Sequence, residues 1–118
     1  MPWEIAEIIE TVSKKVSTPL GIHTHNDSGL AVANSLMAVR GGATMVQGVI
    51  NGFGERCGNA NLTTIAADLH FKMNMKMSVS KKMSKLRALS LGVDQVVNLG
   101  SDVRAPYVGE AAFAHKGG

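Results

Sequence analysis

The chain has 118 residues, 45% hydrophobic and 18% charged, with a net charge of +3, enough for one domain at most or for part of a larger one. Aromatic residues make up only 4% of it and are scattered, which disfavours a stacking platform for single-stranded nucleic acid, and no run of eighteen apolar residues offers a membrane span. The single cysteine, Cys57, excludes an internal disulfide framework and, with no secretory signal visible, leads to the expectation of a cytoplasmic protein.

Pro2 suits a first helical turn, with Glu4 beside the positive end of the helix dipole. Ile5, Ile8, Ile9 and Val12 then recur at helical spacing, predicting an amphipathic helix that ends near Lys14 and Lys15. Residues 18–25 read as a strand, with Leu20, Ile22 and Thr24 on one face and Gly21, His23 and His25 on the other. Asn26, Asp27 or Ser28 caps a second helix running to about Arg40, with Leu30, Ala33, Asn34 and Met37 as its stripe, and Gly41-Gly42 ends it. Residues 43–50 form a second buried strand, residues 51–59 a glycine-rich loop, and Leu62, Ile65 and Leu69 mark a third helix.

Residues 71–79 are less regular. Met73, Met75 and Met77 alternate as a half-buried strand would, although methionine more often fills gaps in a core. Ser80 starts a fourth helix with Met83, Leu86 and Leu89 inside and Gly92 closing it; beyond Val93 the periodicity fades. From Lys72 to Arg87 there are six cations and no acid, read as a solvated helix face ahead of a phosphate-contacting surface. Alternating helices and strands at this spacing imply α/β architecture with a parallel sheet and right-handed crossovers. Two strands make no closed sheet, and a full eight-unit barrel takes ~250 residues. The chain is therefore expected to be an interior piece of a larger protein.

The chemistry concentrates in two places. His23-Thr24-His25 closes a strand just before a helix start, where parallel α/β folds carry ligand sites, and two imidazoles on one strand face are half of a divalent-metal site. The loop Asn51-Gly52-Phe53-Gly54-Glu55-Arg56-Cys57-Gly58-Asn59 follows the next strand and so lies at the same end. Its glycines allow close approach to a ligand, Asn59 offers an amide oxygen to the metal, and Glu55 and Arg56 could hold an anionic substrate or the outer nitrogens of the histidines. The plainer reading of the loop is a tight turn with an asparagine cap. Cys57 reads as a structural thiol and His70 as a helix C-terminal residue; His115 has no local explanation.

Three stretches, residues 21–34, 46–62 and 106–118, together resemble the DRE-TIM metallolyase superfamily, in its acyl-CoA-condensing branch of 2-isopropylmalate, homocitrate and citramalate synthases. Threonine between the histidines, Glu-Arg-Cys-Gly-Asn-Ala-Asn and the ending Ala-His-Lys-Gly-Gly are most similar to the citramalate group.

The resemblance implies the C-terminal portion of a (β/α)8 barrel over residues 1–92, with the start of a helical linker subdomain over 93–118. It implies a divalent metal (Mg, Mn, Co or Zn) on His23, His25 and Asn59, with Asn51, Gly52, Gly54 and Arg56 as cofactor-binding positions and Glu55 and His115 as catalytic ones. The implied reaction is a Claisen-type condensation: the enolate of acetyl-CoA attacks a 2-oxo acid, pyruvate in the citramalate group, and water then cleaves the thioester. A homodimer is implied for the full-length protein, with no nucleic acid or membrane partner. The Asp-Arg-Glu segment that names the superfamily is absent, and with it a carboxylate ligand and a substrate-binding arginine; the general base also lies elsewhere, so the chain alone is expected to be inactive. Two other readings are a non-catalytic remnant docking on a synthase subunit and an amidohydrolase-like metal hydrolase. The second fits poorly, because a helix precedes the histidine pair and no aspartate-rich strand end follows.

Overall fold

The computed structural model describes residues 1–114. In chain order it has α1 (Pro2–Ser13), β1 (Gly21–His23), α2 (Ala31–Arg40), β2 (Met45–Gln47), a 3-10 turn at Ile50–Gly52, α3 (Leu62–Phe71), a 3-10 stretch at Ser80–Lys85 leading into α4 (Leu86–Val96), and a last 3-10 turn at Glu110–Phe113. The chain divides into two compact units, Met1–Ile65 and the part from Ala66 onward.

In the first unit α1 packs on α2. Ile9 is buried and meets Ala38 and Ala43, with Ile5, Leu20 and Ile22 packed around them; a fully buried Ile contributes ~1.5–3 kcal/mol. Ile8 and Val12, expected on the same stripe, are exposed. Gly41 lets the chain leave α2 directly beneath α1, because a Cβ there would lie 2.8 Å from the carbonyl oxygen of Ala6 and 3.2 Å from the Cβ of Ile9.

The buried face of α2 differs from the one expected. Ala31, Ser35 and Ala38 are buried, while Leu30, Ala33, Asn34 and Met37 are only half-buried. Small side chains let the helix sit close to its neighbours, and they fill the contact line that hydropathy assigns to larger ones.

β1 and β2 pair in parallel, with Gly21 opposite Met45, Ile22 opposite Val46 and His23 opposite Gln47. Both strands are shorter than the eight residues the sequence suggested, since ladder bonds persist only where the two chains run side by side. The β1–α2–β2 order with parallel pairing is the α/β architecture expected of a barrel portion. Ile22 points to the helical layer, which places Gly21 and His23 on the opposite face.

In the second unit the Tyr107 hydroxyl donates a 2.6 Å hydrogen bond to Asp68. The Tyr107 ring stacks on Phe71 with centroids 6.4 Å apart, and His70 meets Phe71 edge-on at 4.7 Å. Residues 72–79 form no strand: no ladder partner reaches them among the described residues, and Asn74 turns the chain with φ of +53°. On α4 the buried residues are Ser90 and Asp94, while Leu89 is exposed and Gly92 lies inside the helix rather than closing it. All six cations from Lys72 to Arg87 are exposed, as a solvated face requires. No helix among the described residues is long and apolar enough to cross a membrane.

Candidate metal centre

Two backbone bonds set the geometry of the histidine segment. The Asn26 N–H donates to the Gly58 carbonyl at 2.8 Å, and the Ala60 N–H donates to the Thr24 carbonyl at 3.0 Å. They flank an antiparallel bridge between His25 and Asn59. This is the non-hydrogen-bonded type of pair, the one in which facing side chains come closest. A second bridge, parallel, joins Val49 to Asn61, so residues 59–61 are laced to the extensions of both strands.

Thr24 secures the opposite face. Its hydroxyl lies 3.0 Å from the Ala31 carbonyl and 3.0 Å from the hydroxyl of Ser35, which itself donates to the Ala31 carbonyl at 2.8 Å. With Thr24 turned into the helix layer, His23 and His25 share the other face, and their rings meet edge-on with centroids 5.1 Å apart. His23 is exposed and His25 half-buried.

Two acceptor-capable atoms here are buried without a hydrogen-bond partner: Nδ1 of His25 and Oδ1 of Asn59. A polar atom buried without a partner carries a desolvation cost that a cation would relieve. The amide of Asn59 is oriented by its Nδ2, which donates to the Phe53 carbonyl at 3.1 Å and leaves Oδ1 as the open end. Gly54 makes room for that amide: a Cβ at position 54 would lie 2.7 Å from Cγ of Asn59. Neutral imidazole and amide oxygen suit a divalent ion of the Mg, Mn, Co or Zn group, so these residues fit the implied metal. They form only part of a ligand set, since no group of three or more His, Cys, Asp or Glu converges among the described residues.

The remaining predicted positions are distributed around this pair. Gly52 accepts from the Asn59 N–H at 2.9 Å through its carbonyl. Asn51, with φ of +62°, receives a 3.3 Å hydrogen bond from Thr63. Glu55 is 84% exposed, with Arg56 Nη1 at 3.8 Å. Arg56 binds Asp27 through two hydrogen bonds, Nε to Oδ1 at 2.6 Å and Nη2 to Oδ2 at 2.9 Å. The hydrogen bond from Arg56 holds the Asp27 carboxyl below its ordinary range, and the same bond raises Arg56. Cys57 is exposed, so it packs no core. His115 lies outside the described residues. The sequence alone does not single out Ser35; it places Thr24 on the face opposite the histidines and offers Asp27 as a helix cap, and gives neither a role at the site.

Parallel strand–helix units of this kind define a portion of an α/β-barrel protein. Residues 1–93 match the HMGL-like family, and the chain belongs to it. An (R)-citramalate synthase of Geobacter sulfurreducens is 55% identical over the whole chain, which covers 22% of that protein. One from Synechocystis is 49% identical, with all of this chain and 23% of that protein covered. A homocitrate synthase of Pyrococcus horikoshii is 39% identical over 92% of the chain and 30% of that protein. The chain thus spans about a fifth of the length of the citramalate synthases it matches.

Among solved structures, an HMG-CoA lyase of Acinetobacter baumannii in complex with coenzyme A and 3-methylmalate is similar, with TM-score 0.71 and 21% identity over 86% of this chain and 34% of that one. The Bacillus subtilis HMG-CoA lyase has TM-score 0.71 and 23% identity over 87% and 36%. Both likenesses bear on the fold alone.

Proposed function

We propose that the chain is part of a metal-dependent acetyl-CoA:2-oxo-acid condensing enzyme, most similar in its reaction to citramalate synthase, with pyruvate as the 2-oxo acid. In this reading residues 1–92 are the last strand–helix units of a barrel and 93–118 begin the linker subdomain, in a cytoplasmic, homodimeric whole. The observation that carries the reading is the bridged pair His25 and Asn59, each with one buried, unpartnered side-chain atom, Nδ1 and Oδ1. The citramalate synthase relatives support the substrate class.

His25, Asn59 and His23 would hold the cation. A cation held there would supply Lewis acidity toward the 2-oxo acid. The backbone bridges keep imidazole and amide in place as substrate exchanges, so little reorganisation is left for the reacting complex. Asn51, Gly52, Gly54 and Arg56 form the loop wall beside the substrates. In this reading Glu55, 84% exposed beside Arg56, has a catalytic role, as does His115. The ligand set lacks a carboxylate, which the rest of the barrel supplies.

The test grafts residues 1–118 in place of the matching segment of the Geobacter sulfurreducens enzyme. Release of CoA from acetyl-CoA should then depend on pyruvate and on added metal, and His25→Ala should abolish it. A graft with the circular dichroism of its parent and no pyruvate-dependent activity, or a His25→Ala graft that keeps it, would overturn the reading.

A further inference from the structure

The ion pair between Asp27 and Arg56 joins the two segments that carry the ligand atoms. Asp27 lies two residues beyond His25, and Arg56 three residues before Asn59. The pair is doubly hydrogen-bonded, and it spans 29 positions of sequence. Both side chains are about half-exposed. An exposed pair of this kind adds little to global stability, so its consequence is local. Arg56 has φ of +56°, a left-handed backbone that costs energy in a residue other than glycine and persists where its surroundings hold it. Next to it, the Gly58 N–H donates to the Glu55 carbonyl at 2.9 Å and the Asn59 N–H to the Gly52 carbonyl at 2.9 Å. The guanidinium thus fastens the tip of a turn whose far limb ends on Asn59.

We propose that Arg56 is a positioning residue: clasped by Asp27, it fixes the turn 53–58 and so holds Oδ1 of Asn59 opposite Nδ1 of His25. This rests on the metal reading above for the identity of the ligand, but not for the clasp itself. It reassigns Arg56 from contacting an anionic substrate to bracing the metal side chains. One fork of the guanidinium, an N–H of Nε and one of Nη2, is engaged by Asp27, and Nη1 on the other side has Glu55 at 3.8 Å, whose charge has the same sign as a carboxylate substrate.

The experiment compares the 118-residue chain with Arg56→Ala, Asp27→Arg and the swapped pair Asp27→Arg/Arg56→Asp, by amide hydrogen exchange and by titration with Mn2+ alone. The swap is designed to fold, since aspartate tolerates the left-handed backbone at position 56 better than most residues. In Arg56→Ala and in Asp27→Arg, exchange at Gly58 and Asn59 should quicken by on the order of tenfold while Ser35 and Ala38 are unchanged. Mn2+ binding should weaken by on the order of tenfold, and the swap should restore both. Unchanged exchange at 58 and 59, equal acceleration throughout α2, or no rescue by the swap overturns the clasp. If the parent chain takes up no Mn2+, the titration is made in the graft described above, whose barrel supplies the missing carboxylate; no uptake there overturns the metal reading, and the exchange measurements decide the clasp in either case. If Mn2+ is taken up and Arg56→Ala binds as tightly, the coupling to the site is refuted.

Discussion

His25 and Asn59 form an isolated antiparallel pair in which each side chain presents one buried atom without a partner, Nδ1 on one and Oδ1 on the other. The pairing is set by backbone bonds on either side of His25, so a change to the Asn59 side chain tests the ligand chemistry with the backbone intact. The local set of two imidazoles and an amide carries no negative charge. Asn59→Asp supplies one and at the same time puts a carboxylate against the Phe53 carbonyl that Nδ2 now serves. Without metal the variant should be less stable by roughly 1–3 kcal/mol, the cost of a buried unpaired acceptor. Mn2+ should nevertheless bind about tenfold more tightly, as carboxylate oxygen suits that ion. Urea melts with and without Mn2+ check both signs together; a variant destabilised in both conditions alike would argue against a ligand at position 59.

Gly54 gives a second, steric test. A Cβ at this position would press on the Asn59 amide from the side that faces the turn. Overpacking of this kind costs roughly 1–3 kcal/mol, and relief requires the amide to swing away from the Phe53 carbonyl. Gly54→Ala should therefore lower the urea midpoint and weaken Mn2+ binding together. A stable variant with undiminished binding would show that the loop adjusts without moving Asn59.

The single tyrosine of the chain makes a pH prediction readable. The hydrogen bond from Tyr107 to Asp68, with burial second, pushes the phenol up from 10.0 to about 12. A folded-state value above the unfolded one means that this contribution to stability is fully present below pH ~10 and is lost as pH rises toward 12. Phenolate absorbance near 295 nm should rise with a midpoint near 12 in the folded chain, and Asp68→Asn should bring it down toward 10. A midpoint near 10 in the unaltered chain would show that the hydrogen bond does not persist in solution.

Much of the fold was legible in the sequence because it is written in local periodicity. The helix–strand–helix–strand–helix order followed from spacing, and the common face of His23 and His25 from the two-residue repeat of a strand. Asn59 was picked out by residue type and by its place after the second strand. The buried line of α2 was not legible: Ala31, Ser35 and Ala38 carry little hydropathy, and their burial follows from close approach of neighbouring elements. The alternating Met73, Met75 and Met77 mimicked a strand, but a strand exists only with a partner. The bond from Arg56 to Asp27 crosses 29 positions, so residue type announced two charged groups and the fold alone paired them.

Thr24 shows how a site can depend on a side chain that faces away from it. Its hydroxyl reaches the Ala31 carbonyl and the Ser35 hydroxyl, and this contact commits the strand end to one orientation, with both histidines on the other face. Thr24→Val keeps the β-branched shape and removes only the hydroxyl. Ser35 still donates to the Ala31 carbonyl at 2.8 Å, so no buried donor is orphaned and the loss should be that of one ordinary hydrogen bond, about 1 kcal/mol. Thr24→Ser keeps the bond and gives up the methyl group. If the hydroxyl positions the strand end, Thr24→Ser should retain the Mn2+ affinity of the parent chain while Thr24→Val loses part of it, whatever the order of their urea midpoints. Equal affinity in the two variants would reduce Thr24 to a packing residue, because a merely structural hydroxyl would be read in the melts and not in the metal titration.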